Sequence, residues 1–378
     1  MKVQVLQENL IKALNTACRL ISAKAQLPVL ANILIATEEN RLKIASTNLE
    51  MGATIWIGAK IEKEGAITLP SRILQEFISS LPAEKIDLEV KENIASLTCG
   101  LNKALFNGIA ASEFPVLPKS EKKVFVFPGP IFLEAISQVA FASASDEGRP
   151  ILTGVSVKTD GKLLTFAATD GYRLSVKKIE LEKVAIEESK KEKVKSLVIP
   201  AKSLIEVGRI LTEQQKQEKN LVEMGLTKDE NQAVFTFPDI ELSTRLLEGE
   251  FPDYEKIIPT EYTSKIFLDK EELNQAVKIA SIFARDSANI VRLKFTEGKL
   301  TISANSPQVG ENTSEIGAKI EGEGGEIAFN YRFLLDFLNS VTAGEVVFEM
   351  TGPLNPGVFK VKDDPSLIHI IMPVRLQG

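Results

Sequence analysis

The chain has 378 residues but only one histidine, His369, and two cysteines, Cys18 and Cys99. A single histidine leaves no two-His metal site and no zinc finger, and a Ser-His-Asp site would rest on that one residue. Two cysteines without a CxxC spacing are too few for a disulfide framework, so the expected compartment is a reducing cytoplasm. Both read as core-type residues, and His369 reads as a packed or surface imidazole in the last strand. Tryptophan occurs once, at Trp56, inside a strand pattern where packing is its expected role. No apolar run reaches 18 residues, which excludes a membrane-spanning helix. The opening MKVQVLQENL lacks the apolar core of a signal peptide.

What is present is an ordinary globular composition. Hydrophobic residues make up 44% and charged residues 25%, which excludes disorder and collagen-like structure. The length predicts two or three domains. The net charge of −6 disfavours nucleic-acid binding by the whole surface and leaves room for a local basic patch.

The chain repeats itself. Residues 69–78 read LPSRILQEFI, residues 199–208 read IPAKSLIEVG and residues 329–338 read FNYRFLLDFL, each 130 residues after the last. A base recurs at Arg72, Lys202 and Arg332, and an acid four later at Glu76, Glu206 and Asp336. The spacing of Leu74, Phe77 and Ile78, and of Leu334, Phe337 and Leu338, predicts short amphipathic helices with the charged pairs on the outer side. A second set of segments, Leu42–Ile57, Leu164–Ile179 and Leu300–Ile316, reads as strand, polar turn, strand. A longer helical pattern precedes each of these, over windows 8–24, 129–145 and 270–286. The third is opened by Asp269 as N-cap, with Glu272 three residues later.

Each unit is thus helix, strands, helix, strands in about 125 residues. The expected fold is α+β, with mostly antiparallel sheet and two helices on one side. Seams are expected near Glu113–Lys123 and Phe251–Pro259, both Pro-bearing. The run Glu182–Lys195 reads as a solvated loop. The six helical windows hold ten bases and eight acids, so positive charge collects slightly on helices. Lys12 with Arg19, and Lys278 with Arg285, sit seven apart opposite the apolar stripes. The central long helix breaks the pattern, since its only charge is Glu134. A basic helical surface with few aromatics fits contact with phosphates rather than base readout.

The turn Ala168-Thr169-Asp170-Gly171-Tyr172-Arg173-Leu174, the segment Phe251-Pro252-Asp253-Tyr254 and the terminus Met372-Pro373-Val374-Arg375-Leu376 occur in that order. In a threefold-repeat chain they mark it as similar, along its whole length, to the bacterial DNA polymerase III beta subunit family, the sliding clamps. The resemblance implies a DNA clamp fold of three similar domains, 1–122, 123–253 and 254–378. It implies a head-to-tail homodimer forming a ring around duplex DNA, with helices lining the hole. Two chains bring about twelve helices, and at roughly 10 Å per helix such a hole passes a duplex without gripping it. The family is non-catalytic and uses no cofactor or metal. Its partners are the DNA polymerase III alpha subunit, an ATP-driven clamp loader, and other polymerases and repair proteins that carry a short peptide bearing Gln, Leu and Phe.

Carried over residue by residue, the partner-peptide pocket is Leu152, Thr169, Gly171, Tyr172, Arg173, Leu174, Pro252, Lys256, Ile257, Phe333, Pro356, Ile370, Met372, Pro373, Val374 and Arg375. Tyr172 stands where the family often has His, and Val374 where it often has Met; both reshape the pocket's detail without removing it, and since Val adapts less than Met, narrower partner preferences are expected. The DNA-facing residues implied by the family are Lys24, Arg72, Arg149, Lys202 and Arg209, joined on pattern alone by Lys12, Arg19, Lys278, Arg285 and Arg332. Phe106, Ile282 and Phe283 match the dimer interface. Two competing readings are a linear repeat scaffold that binds peptides without DNA, and an enzyme. Gel filtration separates the first from a ring; the second lacks a visible nucleophile-base pair, phosphate loop or metal cluster.

Overall fold

The computed structural model describes residues 1–21, 27–146, 148–181, 196–214 and 221–375. The run Glu182–Lys195 and Lys24 lie outside them. The described residues fall into two compact units. One holds 1–21, 27–129, 209–214 and 221–246; the other holds 130–146, 148–181, 196–208 and 247–375.

All six expected helices are present: α1 (Gln7–Cys18), α2 (Ser71–Ser80), α3 (Gly129–Val139), α4 (Ala201–Glu213), α5 (Lys270–Ala284) and α6 (Tyr331–Ser340). Each follows a strand with no loop between, as at Leu6–Gln7, Pro70–Ser71 and Asp269–Lys270. Such abrupt starts need their first N–H groups satisfied. Asp269 caps α5 by accepting from the Glu272 N–H at 2.9 Å, and Asn330 caps α6 by accepting from that of Arg332 at 3.0 Å. At α1 the carbonyl of Glu84 accepts from the Gln7 N–H. Two helices end six residues short of their sequence windows, and α5 two: α1 ends at Cys18, and α3 gives way at Val139 to a single 3₁₀ turn, Ala140–Ala142.

Every strand pair among the described residues is antiparallel. Within each repeat, most strands between the two helices form one sheet; Lys60–Lys63 in the first repeat and Lys319–Gly322 in the third instead pair with the strand that precedes the first helix. The strand before the first helix joins those after the second to form another. In the first unit a five-stranded sheet runs Lys60–Lys63, Lys2–Leu6, Lys85–Lys91, Ile94–Cys99, Asn102–Asn107. An eight-stranded sheet there crosses from the second repeat to the first where Ile240–Arg245 pairs with Met51–Gly58. In the second unit a nine-stranded sheet makes the same crossing one repeat later, where Asp364–Ile371 pairs with Arg173–Glu180. The four-stranded sheet Gly310–Gly317, Lys299–Ser306, Ile290–Thr296, Gly325–Asn330 completes that unit.

In the first and third repeats the helices sit against both sheets rather than on one side of a single sheet. Leu10, Ala13, Leu14 and Ala17 of α1 share a core with Val3, Ile44, Ile55 and Ile86, which come from both sheets of the first unit. Leu273, Ala276, Val277 and Ala280 of α5 do the same against Leu293, Ile302 and Phe348 in the second. Alanines at these positions let helix and sheet approach closely, and the apolar area removed from water holds the layers together.

Candidate functional site

The sequence-marked turn is built by its own side chains. Thr169 Oγ1 donates to the Arg173 carbonyl at 2.6 Å and accepts from the Gly171 N–H at 3.0 Å. Asp170 Oδ1 accepts from the N–H groups of Tyr172 and Arg173 at 2.9 and 3.0 Å. Gly171 has φ +91°, a left-handed conformation that a side chain would strain. The turn pushes Tyr172 outward, 64% exposed.

Arg173 is the hub. Its side chain is 10% exposed. Nε donates to Asp170 Oδ2 at 3.0 Å, Nη1 to Asp336 Oδ2 at 2.5 Å and Nη2 to the Phe141 carbonyl at 2.7 Å. The guanidinium lies 4.6 Å from the Phe333 ring centre and 5.4 Å from that of Phe141. Planar, charge-assisted recognition of this kind suits arginine and not lysine. Behind it His369, fully buried, stacks on Phe337 at 5.1 Å and meets Phe141 at 5.4 Å. Neither imidazole nitrogen has a hydrogen-bond partner among the described residues. Burial, aided by the Arg173 charge, pulls its pKa down to about 3, so the ring is neutral at physiological pH.

The apolar floor lies beside the turn. Leu174 pairs with Ile370 across the strands and shares a cluster with Tyr254, Val358 and Phe251. Burial, then the neighbouring Glu255 and Asp253 charges, push the Tyr254 hydroxyl up to about 12. Pro252, Lys256 and Ile257 are exposed around it, with Lys256 held to Asp253 at 2.9 Å. Leu152 is buried, Pro356 half-buried next to Gly357, and Arg375 exposed. The tail is tied at two points: the Met372 N–H donates to the Tyr172 carbonyl and the Val374 N–H to the Ala328 carbonyl, both at 2.8 Å. The structure thus joins Thr169, Gly171, Tyr172, Arg173, Phe333 and Met372 by direct contact, and Leu174 with Ile370. It adds Tyr254, Phe251, Phe141 and Asp336. The FPDY segment is the signal for the first two; nothing local marks the others.

The basic residues separate into kinds. Lys12, Arg72, Lys202, Arg209, Lys278, Arg285 and Arg332 are exposed on their helices or, for Arg285, at the helix end. Arg19 pairs with Glu213 at 2.9 Å. Arg149 donates to the Asp170 carbonyl at 3.2 Å and covers Gly171, which sets it at the turn rather than among the helical cations. The repeated acid is not uniformly on an outer face: Glu76 is exposed, Glu206 is buried, and Asp336 serves Arg173. The lone charge of α3, Glu134, binds the buried Lys177 at 3.1 Å. Among the interface residues, Ile282 is exposed and Phe283 half-buried against the core. Phe106 is only 7% exposed and packs edge-on against Phe77, while its neighbour Leu105 is 74% exposed. Cys18 is partly buried, with its thiol pushed up to about 11 by burial, and Cys99 is buried. Trp56 donates to Glu38 at 2.6 Å, a packing role.

Three repeats joined by shared sheets, with a turn-and-tail patch at one seam, define a clamp-type binding protein. Models of the N-terminal, central and C-terminal domains of the DNA polymerase III beta subunit match residues 1–118, 127–253 and 255–375. The chain belongs to the DNA polymerase III beta subunit family. It is a DNA sliding clamp that tethers polymerase, a processivity subunit and not a catalyst. Beta sliding clamps of Streptomyces coelicolor and Staphylococcus aureus are 29% and 28% identical to it, over 100% and 99% of both chains. The crystal structure of the Bacillus subtilis clamp covers 100% of both chains with a TM-score of 0.91 at 29% identity. A Pseudomonas aeruginosa clamp bound to griselimycin, again covering both chains fully, gives 0.90 at 26%.

Proposed function

We propose that two copies of this chain close head to tail into a ring around duplex DNA, and that the Thr169–Leu174 turn with the Met372–Arg375 tail docks partner peptides. One observation carries the ring. At both internal seams, the strand after a repeat's polar turn pairs with the last strand of the next repeat: Met51–Gly58 with Ile240–Arg245, and Arg173–Glu180 with Asp364–Ile371. Two strands of these types remain as sheet edges, Gly310–Gly317 in the third repeat and Asn102–Asn107 in the first. Unpaired edges invite pairing, and the same rule applied between copies joins third repeat to first and closes a head-to-tail dimer. Leu105, exposed on the first-repeat edge, and Ile282, exposed on α5, are the apolar side chains available to it.

The peptide reading is supported by an apolar floor with polar groups at its rim, the usual composition of a peptide dock. Domain limits of 1–122, 123–253 and 254–378 place that dock at the second seam. Its occupants are the Gln-Leu-Phe peptides of the polymerase alpha subunit, the clamp loader, and other polymerases and repair proteins. The DNA-facing cations Lys12, Arg72, Lys202, Arg209, Lys278, Arg285 and Arg332 supply loose phosphate contact. The protein works in the cytoplasm; among the described residues no helix is long and apolar enough to cross a membrane. Sedimentation equilibrium tests the ring: a dimer mass at low micromolar concentration supports it, and a monomer that binds peptide as well as ever favours the linear scaffold.

A further inference from the structure

The first repeat contains the same turn as the site. Thr47 Oγ1 donates to the Met51 carbonyl and accepts from the Leu49 N–H, and Asn48 Oδ1 accepts from the N–H groups of Glu50 and Met51. These are the bonds made by Thr169 and Asp170 in the second repeat, and Leu49, at φ +74°, stands where Gly171 stands. The fifth residue is Met51 in one turn and Arg173 in the other. The turn therefore folds without arginine, and the Arg173 guanidinium has another task. Two of its three nitrogens reach outside the turn, to Asp336 on α6 and to the carbonyl of Phe141, and the ring of Phe333 on α6 covers one face. A second route links the same parts, from Phe337 of α6 through His369 to Phe141.

We propose that Asp336, on α6 and outside the apolar floor, is a positioning residue for the peptide dock: by holding Arg173 against Phe333 it seats the ready-folded turn on α6, so that Tyr172 is presented and Met372 anchored in one place. This rests on the dock assigned above. A bound peptide meets a turn and tail already seated; without Asp336 that seating is charged to binding, and affinity falls. The carboxylate is the only ionic tie between Arg173 and α6 among the described residues.

The experiment uses the full chain and the variants D336A, D336N, R173M and R173M/D336A. R173M copies the first-repeat turn, so it retains a sequence for which that turn already folds. A labelled Gln-Leu-Phe peptide is titrated by fluorescence anisotropy, and amide hydrogen exchange is followed at Tyr172, Arg173 and Met372. D336A should weaken the peptide by about tenfold, and D336N by less. Exchange at Met372, whose amide ties the tail to the turn, should rise, while Tyr172 and Arg173, bonded within the turn to Asp170, and Ile290–Thr296 stay fixed. In the R173M background D336A should change nothing further, since Asp336 acts through the arginine. Unchanged exchange at Met372 in D336A, or the same affinity loss with and without Arg173, would overturn the proposal. If the unmodified protein fails to bind the peptide, the dock is misplaced, and exchange at Met372 still decides whether Asp336 seats the turn.

Discussion

The Tyr172 carbonyl accepts from the Met372 N–H at 2.8 Å, so the C-terminal segment hangs on the turn that the sequence marks most strongly. Deleting residues 372–378 removes that wall. Anisotropy with the labelled peptide should report no binding to the truncated chain, while sedimentation still reports a dimer, because neither free sheet edge includes the tail. Equal affinity of intact and truncated proteins, both folded, would contradict the site.

At the ring seam, exposure decides which substitution is informative. Leu105→Lys places a charge on an exposed strand position and should leave monomer stability within about 0.5 kcal/mol, yet shift the sedimentation profile to monomer. Ile282→Ala with Phe283→Ala should act in the same direction. Phe106→Ala empties a packed position against Phe77 and should cost about 3–5 kcal/mol of stability, visible as a lower Tm. A Leu105→Lys protein that remains dimeric at low micromolar concentration would argue against edge-to-edge closure.

His369 predicts an acid sensitivity. Its folded pKa, about 3, lies below its ordinary value of 6.5. As pH falls below 6.5 the unfolded chain takes up this proton and the folded chain does not. Stability from this group is therefore complete above 6.5 and declines down to about pH 3, at most by about 1.4 kcal/mol per pH unit. His369→Phe removes two unpartnered buried nitrogens while keeping a ring against Phe337. Denaturant melts from pH 7 to 4 should show the variant at least as stable at pH 7 and flatter with acid. Parallel profiles for both proteins would count against a neutral buried imidazole.

Lys278 and Arg332 are expected to meet phosphates without specificity. Replacing both with alanine should lower the slope of log affinity against log salt by about 0.9 for each phosphate that the variant no longer neutralises, with no change in sequence preference. An unchanged slope would remove them from the DNA-facing set.

Much of this architecture is legible in the chain. The 130-residue period places the three short helices, apolar periodicity places the three long ones, and the polar turns place the hairpins, because these patterns are local. Helix ends are less legible: α3 stops at Val139, and the Phe141 carbonyl in the turn that follows serves an arginine that no local pattern links to it. Long-range pairing is not legible either. Nothing near Met51 announces a partner strand almost two hundred residues away. By spacing, Asp336 reads as the ion-pair partner of Arg332 one turn away, yet it binds Arg173, 163 residues distant in sequence. Phe106 and Leu105 alternate along one strand, so one must face inward; only the assembled core says that it is the phenylalanine.

If this chain holds DNA by topology, cutting the DNA must free it. The direct measurement loads the labelled protein onto nicked circular duplex with a clamp loader and ATP, isolates the complex, and then cuts the circle with a restriction enzyme. A ring stays on the circle for many minutes at moderate salt and leaves promptly on linearisation. Retention on linear duplex equal to that on the circle would mean that adhesion rather than encirclement holds the DNA, and would contradict the ring.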